Sequence, residues 1–131
     1  MATGRRDYTW GFLSEVATEG RYCESFTPGF NGVIPPLETK QMYFYTVPPG
    51  KKLTVNSVWV SCTLRDVNVF SVYLKGQCML SVYFSDHFCF NFSDKNPPLL
   101  VKGDTVSLQC TNLVDSANQF MGGLIGNLET I

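Results

Sequence analysis

From residue 41 onward the chain is a run of short β-prone segments broken by turn signals. This punctuation limits the fold more than any other feature. Residues 41–47 (QMYFYTV) are aromatic and β-prone and stop at Pro48-Pro49-Gly50. Residues 53–64 follow without a single charge. Leu53 and Val55 share one parity there, and Val58, Val60, Cys62 and Leu64 share the other. A parity change inside one strand predicts a bulge near Asn56-Ser57, or burial on both faces. Arg65-Asp66 turns, and residues 67–74 put Phe70, Val72 and Leu74 on one face. Lys75-Gly76 is a hairpin signal, and residues 78–84 align Leu80, Val82 and Phe84. After Ser85-Asp86, Phe88, Phe90 and Phe92 alternate against His87, Cys89 and Asn91. Residues 93–98 read as a loop, 99–101 as a short strand, and Lys102-Gly103-Asp104 as a turn. Val106, Leu108 and Cys110 then alternate with polar neighbours, Asp115-Ser116 turns, and residues 119–126 form a last strand softened by Gly122 and Gly123.

Seven or eight antiparallel strands at this spacing predict an all-β sandwich or jelly roll. Parallel strands are excluded, because no linker has room for a crossover helix. The chain of 131 residues suffices for one domain, and 44% hydrophobic residues can build its core. The uncharged run at residues 116–128, which no other exceeds in length, is too short and polar to span a bilayer. Ten Lys and Arg against eleven Asp and Glu leave no basic field for nucleic acid. We therefore expect neither a membrane nor a nucleic-acid partner.

Residues 1–37 are different. Five glycines, Pro28 and the Pro35-Pro36 pair interrupt any period, yet Tyr8, Trp10, Phe12, Tyr22, Phe26 and Phe30 lie here. A flexible polar tail does not carry so many large apolar groups. The division is therefore an extended N-terminal arm over 1–37, lying on its own body or on a neighbour's, and a sandwich domain over 38–131. Residues 9–19 have room for a turn or two of helix, against the weak pattern and Gly11.

Catalytic chemistry finds little support. His87 is the only histidine. With Cys89 it shares a strand face, but no paired spacing completes a metal site, and no GxSxG elbow offers a nucleophile. Asp66, Asp86, Asp94, Asp104 and Asp115 sit in turns, where their side chains bond nearby backbone. Gly122-Gly123 precedes no lysine and no helix, so it is read as close backbone approach or a strand kink rather than a phosphate cradle. The five cysteines, with no CxxC and no apolar leader, are expected to be reduced. The Asn91-Phe92-Ser93 sequon is then a chance match. No catalytic residue, metal or cofactor is expected, and the chain is not expected to be an enzyme. Trp59, Tyr43, Tyr45, Tyr73 and Tyr83 offer rings for sugar stacking or for core and subunit contacts.

Charged residues are only 16% of the chain, against about 25% in a typical soluble domain. Outward strand positions carry Thr, Ser, Asn and Gln instead. Such faces suit subunit contacts, whose cores are depleted in charge, and aromatic arms supply anchors. The expectation is a protein that packs with its own copies, as a symmetric trimer, and clasps neighbours through its arm.

The segment 43–60 (YFYTVPPGKKLTVNSVWV) resembles the opening of small phage structural β-sandwiches, in which an aromatic strand meets V-P-x-G-K and then a hydrophobic strand. The segment 99–112 (LLVKGDTVSLQCTN) resembles their late K-G-D strand pair. Both are similar to tailed-phage capsid decoration (cement) proteins of the jelly-roll type. That resemblance implies a non-enzymatic virion protein, made in the host cytoplasm, that binds the major capsid protein on the capsid exterior and stabilises the shell. The arm residues Tyr8, Trp10, Phe12, Tyr22, Phe26 and Phe30 would then carry neighbour contacts. The alternative is a receptor- or carbohydrate-binding head, as on a tail fibre or lectin.

Overall fold

The structure, a computed structural model, describes residues 22–131. Ten strands occupy it: β1 (Tyr22–Phe26), β2 (Gly29–Ile34), β3 (Thr39–Thr46), β4 (Lys51–Cys62), β5 (Asn68–Leu74), β6 (Gln77–Phe84), β7 (His87–Asn91), β8 (Leu99–Val101), β9 (Thr105–Thr111) and β10 (Asn118–Thr130). Among the described residues there is no helix. Every pairing is antiparallel. One sheet runs β1/β2–β10–β4–β7/β8 and the other β3–β9–β5–β6.

The pairing is nested. β5 meets β6, β4 meets β7 and β8, β3 meets β9, and β2 meets β10. A long hairpin rolled on itself gives this order, which is the jelly roll. Its innermost turn is Lys75-Gly76, where both residues have positive φ (57° and 77°). That is the left-handed pair a two-residue hairpin needs.

The strand count exceeds the expected seven or eight because two strands lie inside the stretch read as an arm. Residues 22–34 run along β10 in one unbroken register, from Tyr22 opposite Thr130 to Ile34 opposite Asn118. They form an edge strand of the chain's own sheet, interrupted only at Thr27-Pro28. Proline has no N–H to give the ladder, but the Pro28 carbonyl still accepts the Leu124 N–H (3.1 Å). Ile34 at the end of this strand is fully buried. Residues 1–21 lie outside the described residues, and with them Tyr8, Trp10, Phe12 and the helical turn considered for 9–19.

The core fills the space between the sheets. Phe70, Phe120, Ile34, Leu53, Leu100, Leu108 and Leu124 are its largest fully buried side chains. Phe84 meets Phe70 and Phe120 edge-on, at ring separations of 6.5 and 6.3 Å. Burial of each such side chain contributes about 1.5–3 kcal/mol. The parity change in β4 is a bulge: Ser57 pairs with Ile125 and Val55 with Gly126, leaving Asn56 without an opposite number. Ser57 and Val58 are consequently both buried.

Buried asparagines hold loops together beside this core. Asn112 donates through Nδ2 to the carbonyls of Ile34 (2.9 Å), Pro35 (3.2 Å) and Ser116 (2.8 Å), and its Oδ1 accepts the Val114 N–H (2.9 Å). Asn68 and Asn118 do similar service for Asp66, Leu113 and Leu64. An amide side chain satisfies several backbone groups that burial would otherwise leave unpaired.

Candidate association surfaces

The period of two that buries one side of each strand leaves the other side facing outward. On the six-stranded sheet the outward row includes Asn31 and Val33 of β2, Gln119, Met121 and Ile125 of β10, Ser57, Trp59 and Ser61 of β4, and Cys89 and Asn91 of β7. None is charged. Ions appear only towards the ends of this face, as Lys52 with Glu129 (3.3 Å) and Arg65 with Asp86 (3.4 Å).

Trp59 lies at the middle of this row and is 38% exposed. The backbone makes room for its ring. Trp59 pairs with Gly123, and Gly123 with Gly29. A Cβ at Gly123 would come within 3.1 Å of the indole Nε1 and 2.5 Å of the Pro28 carbonyl oxygen. On the inner side a Cβ at Gly122 would come within 2.5 Å of the Phe30 ring and press on the Trp59 carbonyl. The Gly122-Gly123 pair thus carries an aromatic on each face, which is the close approach its sequence predicts.

The four-stranded sheet has an outward face of the same character. Phe44 (53% exposed) and Tyr83 (75% exposed) flank rows of Ser, Thr and Gln from β9 and β5, together with Val69 and Tyr73. No ionic group projects from its middle. The polar side chains bond one another across strands: Thr39 with Thr111 (2.7 Å), Ser71 with Ser81 (2.9 Å), and the Ser107 hydroxyl to Gln41 (3.0 Å). On the opposite sheet the Gln119 amide donates to Asn31 in the same way (2.7 Å). Groups already satisfied laterally lose less when water is removed, so these faces are cheap to cover.

The residues assigned to neighbour contacts are divided by the structure. Phe26 and Phe30 face inward and pack against the chain's own core. Phe26 lies 4.7 Å from Tyr45 across the sandwich. They lie there because β10 draws residues 22–34 into its own sheet and turns these two rings to its inner side. Tyr22 opens β1, opposite Thr130. The signal for Trp59 lay in Gly122-Gly123, whose bare backbone seats the ring on the next strand.

The remaining candidates for chemistry are dispersed. His87 is exposed, with Asp86 Oδ2 3.4 Å from Nδ1. Among the described residues no three His, Cys, Asp or Glu side chains gather as metal ligands. All five cysteines are free thiols, Cys62 and Cys110 buried and the others exposed. Burial, and then the neighbouring Cys62, pushes the Cys110 thiol up to about 12. Burial, and then Tyr45, pushes the Tyr43 phenol up to about 12, and the Tyr45 phenol is raised by burial and Glu24.

Neither a protein-family profile nor a curated protein matches this sequence. Among solved structures, a de novo designed double-stranded β-helix overlaps 74% of this chain and 97% of its own, at 13% identity and a TM-score of 0.35. The CBM36-1 domain of a multidomain xylanase from the hindgut metagenome of Trinervitermes trinervoides overlaps 81% and 95%, at 10% identity and a TM-score of 0.42. A chain of infectious bursal disease virus (Gx strain) overlaps 83% of this chain and 31% of its own, at 10% identity and a TM-score of 0.38. At scores below 0.5 none of these likenesses bears on function.

Proposed function

We propose that this chain is a non-enzymatic structural subunit that associates with its own copies through the outward faces of its sheets. The finer reading is a virion protein that decorates and stabilises a phage capsid shell, self-associating as a trimer and contacting the major capsid protein. One observation carries the proposal: both sheet faces show exposed aromatics, and their middles hold laterally bonded polar groups but no ion. A solvated sheet ordinarily shows polar and charged residues on alternate positions. Covering an uncharged face costs no ion desolvation, whereas charges are depleted at the cores of protein interfaces for that reason. Trp59 and Tyr83 are the aromatic anchors on the two faces. The V-P-P-G-K and K-G-D segments add the resemblance to decoration proteins, and jelly rolls serve in viral capsids.

Light scattering on the full chain tests this directly. The native chain is expected to run as an oligomer at micromolar concentration. Trp59→Arg or Tyr83→Arg is expected to reduce that mass without unfolding, since both side chains are exposed. A native chain that stays monomeric refutes self-association.

A second reading rests on Trp59 itself. Its ring is backed by the Gly123–Gly29 shelf and shares its face with the Asn31 and Gln119 amides, a combination that suits sugar stacking. A glycan array separates the two readings, because a subunit that only assembles shows no sugar selectivity.

A further inference from the structure

Each sheet ends in strands whose outer flank pairs with nothing among the described residues. A bare strand edge is a template for another chain, and proteins blunt it with charge, proline, a bulge or very short length. Most edges here carry such a device. β3 has Lys40 and a bulge at Met42, and β6 has a bulge at Met79, which is left without a partner in β5. The β1/β2 edge is broken at Pro28 and carries Glu24. β8 is only three residues long, between Pro98 and Lys102. β7 differs. Its five residues hold no proline, no acid and no lysine or arginine, and they follow β4 without a shift of register.

That register fixes what the β7 edge offers. The Cys62 N–H donates to the Asp86 carbonyl (2.9 Å) and the Phe92 N–H to the Asn56 carbonyl (2.8 Å), at the two ends of the β4–β7 ladder. In an antiparallel pair, residues bonded to the partner strand alternate with residues whose main chain faces away from it. Phe88 and Phe90 therefore bond to β4, and the main chain of His87, Cys89 and Asn91 points out from the sheet edge. The His87 N–H is taken by the Ser85 carbonyl (3.0 Å). The Cys89 and Asn91 N–H groups and the carbonyls of all three residues stay open. Their side chains lie on the uncharged outer face, with Cys89 opposite Trp59. Phe88 and Phe92 pack against the core, while Phe90 between them is 37% exposed, 5.0 Å from Phe92.

We infer that β7 pairs with β7 of a second copy, antiparallel, about a two-fold axis at Cys89, so that two six-stranded sheets become one. The inference rests on the self-association proposed above and adds a main-chain contact to those of the faces. In this register the strand is complementary to itself. Each Cys89 N–H donates to the Cys89 carbonyl of the other copy, and each Asn91 N–H to the other copy's His87 carbonyl, which uses both open donors of the edge. His87 stands opposite Asn91 and Phe90 opposite Phe88, so no like charges meet. The Phe88–Phe90 pairs fall at the closer, non-hydrogen-bonded sites, about 4.5 Å between Cα atoms, where aromatic side chains cover one another. Phe90 gains there the cover it lacks in its own chain. On the outer side Trp59 and Cys89 of one copy continue into Cys89 and Trp59 of the other, joining two uncharged faces. A two-fold contact is closed, so it links copies in pairs.

Cys89 reports on this contact. Cα atoms of a hydrogen-bonded antiparallel pair lie about 5.5 Å apart, within disulfide reach. The full chain carrying Cys23→Ser and Cys78→Ser keeps Cys89 as its exposed thiol. At micromolar concentration diamide, a diazene that takes up the two thiol hydrogens, is expected to convert it to a covalent dimer. Adding Asn91→Pro leaves the thiol and the β4 ladder in place and removes a donor that faces out, which an edge strand tolerates. Loss of that hydrogen bond in both directions is expected to slow cross-linking about tenfold. Independently, Cys89→Lys or Cys89→Glu puts like charges on the axis, and each alone is expected to lower the mass seen by light scattering. Mixed 1:1 they are expected to restore it, which also shows both folded. A native oligomer whose Cys89 does not cross-link, an unchanged rate with Asn91→Pro, or a Lys and Glu mixture no heavier than its parts overturns edge pairing and leaves the face reading intact. A native chain that is monomeric overturns both.

Discussion

Replacing Gly122 by alanine should loosen the leading strand from the sandwich. The new methyl would stand 2.5 Å from the Phe30 ring, against an ordinary contact of about 3.5–4 Å. It would also press on the Trp59 carbonyl, which the β4 ladder holds in place. The ring must therefore withdraw by about 1 Å or more. Overpacking of this kind costs about 1–3 kcal/mol. Withdrawal forfeits part of a burial worth about 1.5–3 kcal/mol in full. Exchanging glycine for alanine in a strand returns about 0.5–1 kcal/mol through the unfolded chain. The net loss is about 2 kcal/mol, out of a total of about 7–20 kcal/mol for 131 residues. Urea denaturation should show it as a lower midpoint with unchanged slope. Gly32→Ala is the control, since its methyl would meet only the mobile end of Met42, at 3.1 Å. A loss below about 0.5 kcal/mol at Gly122, or an equal loss at Gly32, refutes the reasoning.

Other outcomes are equally definite. Asn112→Ala removes a side chain with four hydrogen bonds to buried or half-buried backbone; thermal unfolding should show a loss of about 3 kcal/mol or more. Cys110 should resist a thiol reagent at pH 8 while the exposed Cys23, Cys78 and Cys89 react, because its thiol is buried and raised to about 12. The raised Cys110 and Tyr43 groups should lower stability as the pH rises from 9 to 12. The sign follows from linkage: the unfolded thiol releases its proton from about pH 9 and the unfolded phenol of Tyr43 from about pH 10, while the folded forms keep theirs to about 12. Urea midpoints at pH 8 and pH 11 check this, and equal values count against it.

The eight strands from β3 to β10 were legible because their alternation and turn chemistry agree. The predicted 99–101 coincides with β8, and the parity slip in 53–64 marks the bulge at Asn56. β1 and β2 were not legible. Their inward positions are the even ones, but Glu24, Pro28 and Gly32 occupy three of them. Phe26, Phe30 and Ile34 then recur every fourth residue, which fits a helix face as well as a strand. What makes them strand is β10, almost a hundred residues away. Of the candidate surfaces, the absence of charge was plain in composition. Its placement was not, because only pairing shows which uncharged positions share a face.

The order of the strands also governs when the sandwich can exist during synthesis. β10 is the last strand along the chain, yet it sits inside the six-stranded sheet, with the leading strand on one flank and β4 on the other. Until β10 leaves the ribosome, neither neighbour has its partner, and β4, mostly apolar, waits with one edge bare. The hairpin of β5 and β6 and the pairings of β4 with β7 and β8 and of β9 with β3 and β5 can form first; the leading strand can join the sheet only when β10 arrives. Such late, non-local closure is slow and leaves sticky edges open meanwhile.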